Sequence, residues 1–304
     1  MTPTQTPPRP LLGIGLMLLA MAILPFIDVL AKKLGQAGLP IAMVVWARAV
    51  FGALTVLPFA LGAEGTAILR PARPLHHLFR ASLLSAATFL FFFSLKTLPI
   101  ADALAIFFVN PLVVTLLSAL FLGETVGPRR WAAVAVGFVG TLIIIRPGMI
   151  EPNPGTLYAL GAGVALGCYF VMTRQIAGQG NAMVLTFQTN VMAAGLMSLT
   201  LPFLWHTPLA GQWPMLIGLG VIATLGHVLI TLAYERAEAS LLAPLAFTEI
   251  IMATLLGWWF FGDLPDRWTC LGVAVLIGSA LYISLRERQL GRKARLAVGP
   301  ECAD

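Results

Sequence analysis

The side chains of this sequence that could do chemistry are the few charged and hydrogen-bonding groups set inside long apolar runs. Glu249 stands near the middle of the run 239–261 and is the deepest carboxylate. In hydrocarbon a lone carboxylate costs on the order of 2.5–3.5 kcal/mol on insertion scales. It must therefore be protonated, be hydrogen-bonded, or serve to hold a cation or a proton in transit. Arg48 lies about a third of the way into 41–61. Its planar guanidinium can hold a carboxylate through two parallel bonds, or pair with Asp28 or Asp102 as a structural clamp. His227, in the run 211–234, can bind a polar solute or relay protons; bonding to a neighbouring helix is the plainer alternative. Asn110-Pro111 divides the run 101–123. Proline breaks a backbone hydrogen bond, and carbonyls freed beside a cavity bind polar solutes. Pro244 sits similarly, early in 239–261. Both prolines could equally kink a helix for packing alone. Trp46 and Tyr169 lie deeper in their runs than the other large aromatics, deep enough to line a cavity.

Other chemistry is excluded by what these residues lack. No HExxH or phosphate-binding GxxxxGK[ST] pattern occurs, and no GxSxG. No catalytic residue is expected. Cys168, Cys270 and Cys302 have no paired spacing, so neither a disulfide framework nor a zinc site is read from them. His76-His77 with Arg73 reads as surface charge at the mouth of a helix rather than as metal ligands. No cofactor and no metal are expected. A phosphorylated substrate would want several cations within the runs, and Arg48 alone is clearly inside one.

The elements that position these groups follow from composition. Of 304 residues 59% are hydrophobic and 11% charged, against roughly 25% charged in soluble domains. The mean hydropathy is +0.89. Most of the surface must face lipid. Ten runs are long enough to cross a bilayer: 11–32, 41–61, 77–96, 101–123, 128–146, 154–173, 182–203, 211–234, 239–261 and 267–286. Each is expected to be a helix, because only a helix satisfies its own backbone in hydrocarbon. The net charge of +6 comes from short loops and the tail, as suits a membrane protein, so nucleic acid is not an expected partner. With the first residue inside, thirteen Lys and Arg fall on the inner side and five on the outer. That asymmetry places both termini in the cytoplasm of a cell with the chain in its inner membrane.

The chain also repeats. Under a shift of 139, Phe121-Leu122-Gly123-Glu124 meets Phe260-Phe261-Gly262-Asp263, and Asn110 meets Glu249. Arg130-Trp131 meets Arg267-Trp268 after a gap of two. The expected units are 11–146 and 154–286, with 287–304 as a cytoplasmic tail. Five helices per unit is odd, so the second unit is inverted. Inverted halves can rock about a central site and open it to each side in turn. The fold expected is thus all-α, with ten transmembrane helices in two inverted five-helix repeats. All ten helices lie in one chain, so a monomer suffices.

The Gly-acid ends of the fourth and ninth spans, the proline within the fourth, and the two five-helix units resemble the EamA family of the drug/metabolite transporter superfamily, over about 13–285. The resemblance implies a ten-helix transporter and export, of amino acids and related metabolites in most characterised members. Small four-helix relatives couple protons through a Glu in the first helix; here the first span has only Asp28. The expected function is a secondary exporter of amino-acid-like metabolites working by alternating access through a central cavity. Glu249, Asn110, Arg48, His227, Trp46 and Tyr169 would be its contacts, and Pro111 and Pro244 its kinks. The alternatives are an exporter of hydrophobic cations and, without supporting motifs, a membrane-embedded enzyme.

Overall fold

The computed structural model describes residues 10–71, 73–121, 128–146, 153–175, 181–234, 236, 242–279 and 281–282. The Gly123-Glu124 motif, Cys302 and the tail 287–304 lie outside the described residues. The helices are α1 (Pro10–Ile23), α2 (Pro25–Gln36), α3 (Ile41–Glu64), α4 (Pro74–Ser94), α5 (Ile100–Phe107), α6 (Asn110–Phe121), α7 (Pro128–Ile145), α8 (Pro154–Gln175), α9 (Ala182–Ser198), α10 (Leu201–Leu204), α11 (Trp213–Tyr234) and α12 (Thr248–Phe261). A last helix, α13, covers Arg267–Ser279.

Helix is found in each of the ten stretches expected to span. Six segments are long and apolar enough to cross a membrane by length and composition. Three further apolar helices are shorter: Ala135–Ile145, Leu245–Phe261 and Arg267–Ser279. Full-length spans are thus fewer than the ten expected among the described residues, because breaks and the ends of the described stretches shorten the helices. The outer surface is apolar: Phe59 is 64% exposed, Phe203 86% and Trp259 75%. Exposed apolar area on this scale is stable only against lipid or another apolar partner.

Four of the expected spans are broken, each at a proline; in 182–203, α9 gives way to α10 at Leu199-Thr200, just before Pro202. α1 gives way to α2 at Leu24-Pro25, and α5 gives way to α6 at Phe108-Val109. α12 is entered through a 3-10 turn, Ala243–Phe247, that holds Pro244. Pro111 has no N–H to offer the Phe107 carbonyl four residues back. The Asn110 side chain supplies the missing donor, its Nδ2 bonding Phe107 O at 3.0 Å. Small residues let neighbours close on this break. A Cβ on Gly163 would fall 2.7 Å from Phe107 O, and one on Gly167 2.7 Å from Val113 Cβ. Stripes of small residues are how membrane helices approach closely.

The two halves pack as equivalents. α3 and α9 run antiparallel: Trp46 meets Ser198, a Cβ on Gly52 would meet Asn190, and Ala53 and Val56 cluster with Val184 and Phe187. α7 and α13 cross at Gly140 and Gly272, each closing on the other's backbone. α5 packs on α12, α4 on α8, and α11 on α1 and α2. Every one of these pairings maps onto itself or another under the repeat shift, the pattern of a twofold contact. Phe108 and Phe247, which are repeat equivalents, stack on each other with ring centroids 5.1 Å apart and planes at 27°. A residue that contacts its own equivalent lies on the twofold axis.

A close approach of backbone in the second half is at Gly220, where a Cβ would fall 2.6 Å from Gly52 N and 2.8 Å from Phe51 C. Gly218 has ordinary room, with Leu30 Cδ1 at 3.6 Å. Gly220→Ala is expected to destabilise by about 1–3 kcal/mol through overpacking, while Gly218→Ala stays near wild type. Thermal unfolding of both variants in detergent checks this; equal loss in the two would show that the α3–α11 contact is not the constraint.

Candidate functional site

Five helices bring polar groups to one region between the halves. Arg48 shares its face of α3 with Val44, Val45 and Gly52, which are buried. His227 shares its face of α11 with Gly220 and Ala223, also buried. Glu249 shares its face of α12 with Ala253 and Leu256. These are interior faces, yet Arg48 and Glu249 are half-buried and His227 is exposed. Part of each side chain is therefore left uncovered by the helices that pack on these faces. Asp28, on α2, is 7% exposed. It lies in electrostatic reach of Glu249 and Arg48. Arg48 interacts in turn with Tyr169 of α8, and His227 with Arg48.

No hydrogen bond or ion pair to a described residue engages Arg48, Asp28 or Glu249. One guanidinium and two carboxyls thus lie within electrostatic reach of one another with their hydrogen-bonding capacity free. His227 Nδ1 bonds the Ala223 carbonyl at 2.7 Å. A carbonyl only accepts, so Nδ1 carries the hydrogen and Nε2 of the neutral ring is left as an acceptor. Such a group can take a proton or an N–H from a solute.

The remaining candidates are placed differently. Asn110 is 8% exposed and spends its amide on the helix break. Trp46 stands two residues before Arg48 on α3, its Nε1 bonding Ser198 Oγ at 3.0 Å and its ring edge-on to Trp205 at 6.1 Å. Pro111 and Pro244 lie at two of the breaks. Asp102 does not meet Arg48 and so is no clamp for it; it interacts with Thr269, Asp266 and Arg146. Two half-open clefts are separate from the polar cluster. One of about 350 Å³ between α12 and α13 is apolar, lined by Ile251, Leu255 and Cys270. One of about 250 Å³ adjoins Lys32, Gln36 and Lys96.

At the Lys32 end the halves are tied by polar contacts. Lys32 Nζ lies 2.7 Å from Asp263 Oδ2 and bonds the Leu98 carbonyl at 3.1 Å. Arg146 pairs with Asp266 at 2.7 Å. Asn153 Nδ2 reaches Thr97 O at 3.3 Å. Partial burial pushes the Asp266 carboxyl up, but bonds from Thr269 and the Arg146 guanidinium outweigh it and hold the group below its usual range. At the opposite end, Arg80 and His77 are buried, at 2% and 6% exposure. This corrects the reading of His77 as surface charge. α4 begins at Pro74, so both residues stand within its first two turns and face the neighbouring helices rather than a loop. Sequence reading missed Arg80 because it counted as a charge at a span end; its spacing of three from His77 on one helix was the available signal.

The model of the EamA-like transporter family matches residues 11–146 and again 153–285. The chain belongs to the EamA-like transporter family. Its relatives include an S-adenosylmethionine uptake transporter of Rickettsia bellii, 27% identical over 91% of this chain and 95% of its own. A riboflavin transporter of Vibrio cholerae is 30% identical over 86% and 88%. A pseudopaline exporter of Pseudomonas aeruginosa is 25% identical over 90% and 95%. One solved crystal structure, 21% identical, superposes with a TM-score of 0.65 over 92% of this chain and 98% of its own, and shows the fold alone. This EamA-like protein is a multi-pass membrane transporter of a small molecule and not an enzyme.

Two measurements test the ties of this EamA-like transporter. Lys32 is 9% exposed and Asp263 30%, so removing the lysine strands a partly buried carboxylate. Lys32→Met is expected to lower stability by about 1–3 kcal/mol, and a double-mutant cycle with Asp263→Asn to recover part of it. Additive losses in that cycle would show the pair to be uncoupled. Asp266 has a lowered pKa in the folded protein, so its contribution is present above the ordinary aspartate range near pH ~4 and is lost as pH falls through the lowered value. Unfolding midpoints from pH 6 to 3 should fall more steeply in wild type than in Asp266→Asn; parallel curves would remove Asp266 from the tie.

Proposed function

We propose that this chain is a secondary transporter of the inner membrane that carries small zwitterionic metabolites, amino acids and their derivatives, by alternating access. The observation that supports it most is the unpaired trio of Arg48, Asp28 and Glu249 at one internal space. Arg48 takes the substrate carboxylate in bidentate geometry. The carboxyls take its ammonium group, and one of them can exchange a proton during the cycle. His227 Nε2 accepts a hydrogen bond beside them, and Tyr169 forms a wall next to Arg48. Asn110, Pro111 and Pro244 hold the two broken helices that border the space.

The halves 11–146 and 154–286 act as the moving bodies, inverted with respect to each other, with ten spans between them and both termini in the cytoplasm. The repeat-exchanged contacts support that arrangement, since equivalent halves offer two nearly equal states. The tail 287–304 belongs to neither half. A single chain contains both halves, which suits a monomer. Export is the direction expected from the family resemblance. Relatives named for both uptake and export support the transport class in general, so the assay must read both directions.

The test is flux of labelled amino acids in proteoliposomes, in both directions, with and without a pH gradient. Arg48→Gln is expected to lower flux at least tenfold, the loss of a charge-assisted contact of about 1.5–3 kcal/mol. Glu249→Gln is expected to abolish the response to the gradient. Flux that ignores both changes would make the trio structural. Hydrophobic-cation flux that survives Arg48→Gln, with no amino acid moved, would assign the site to cations held by the two carboxyls.

A further inference from the structure

Arg80 is a buried guanidinium whose charge is unanswered. Its Nη2 donates to Thr189 Oγ1 at 2.6 Å, while Nε and Nη1 have no acceptor. No carboxylate among the described residues pairs with it. One face of the guanidinium is covered by the Tyr169 ring, 5.4 Å from its centroid. His77, three residues earlier on α4, is in electrostatic contact with Arg80 and has an unpartnered Nδ1. Ser85 is 3% exposed, and its hydroxyl is also unpartnered. Buried donors without acceptors are rare in folded proteins, and a buried cation without a counter-charge is rarer. What is missing is an acceptor that carries negative charge and more than one oxygen.

We propose that Arg80 anchors an oxyanion-binding site between α4, α8 and α9, taking a carboxylate or phosphate group. The planar fork of arginine matches the paired oxygens of either. His77 stands beside it with an unpartnered Nδ1, and Tyr169 fixes the plane of the guanidinium. The site shares Tyr169 with the surroundings of Arg48, but its anchor is a different cation and it does not depend on how the Arg48 space is assigned. Its donors are closed to solvent in this structure, so the oxyanion reaches them when α4 and α9 part. The Arg80–Thr189 bond and the bond from Gln188 Nε2 to Ile68 O at 3.1 Å join the halves at this end. An oxyanion on Arg80 competes with the first of them and favours the opened arrangement, because a ligand shifts a protein toward the state it binds.

The experiment is thermal unfolding of the full-length protein in neutral detergent, titrated with acetate or inorganic phosphate against chloride at equal ionic strength. A parallel arm uses vesicles of phosphatidylcholine with or without phosphatidylglycerol. Wild type should gain several degrees from acetate or phosphate, Arg80→Lys should keep part of the gain, and Arg80→Gln should lose it. A gain seen only with phosphatidylglycerol, and lost in Arg80→Gln, assigns the oxyanion to a lipid headgroup. No gain from any of the three in wild type, or an equal gain in Arg80→Gln, overturns the proposal. Thr189→Val serves where Arg80 variants fail to fold. Freed of its competitor, Arg80 should half-saturate at about fivefold lower anion concentration, the worth of one net hydrogen bond. An unchanged half-saturation would overturn the proposal as well. The readout is binding, so failure of amino-acid flux leaves it standing and its own failure leaves the flux assay untouched.

Discussion

Hydrocarbon offers no hydrogen bonds, and the bond from Asn110 to the Phe107 carbonyl is where this protein meets that constraint most sharply. A helix interrupted within the bilayer leaves carbonyls that lipid cannot satisfy. Here the interruption is imposed by Pro111, and its neighbour supplies the lost donor. The repaired break then needs cover from other helices, which Gly163 and Gly167 of α8 provide by admitting its backbone. From this one local solution follow the pairing of α5 and α6 with α8, and the position of α12 against α5.

The same solvent sets the balance of charge. Outside the membrane an unpaired guanidinium is unremarkable; within it, each one demands a partner or a purpose. The chain divides its interior charges accordingly. Lys32 and Arg146 are paired with Asp263 and Asp266 at one end, where they fasten the halves. Arg48, Asp28 and Glu249 are left open at the centre. The charges that fasten the halves and the charges left unpaired are thus different ones.

How much of this could be read from sequence depended on the range of the interaction. Helices at 41–61 and 154–173 were legible because apolar length is a local property. The break at Asn110-Pro111 was legible because proline acts on its own backbone. The convergence of Glu249, Arg48, His227 and Tyr169 was partly legible, since depth within a span can be counted. The capping role of Asn110 was not, because it depends on a rotamer choice after the break forms. Nor was the engagement of Trp46 by Ser198 and Trp205, which requires knowing that α3 and α9 are neighbours. Arg80 was misread for a simpler reason: two turns of helix carry it past the point where a charge normally reaches water.

The stacked pair of Phe108 and Phe247 has a consequence for how substitutions in this protein sort themselves. In the alternating-access cycle we propose, a contact that straddles a twofold axis is converted into itself when the two halves trade places, so it weighs equally in both end states. Changing it alters the height of the pass between two valleys and leaves their relative depth alone. Off-axis contacts such as Lys32–Asp263 have no such neutrality, because they belong to one valley only. Residues near the axis are therefore the natural place for evolution to adjust speed, and residues far from it the place to adjust which way the molecule rests.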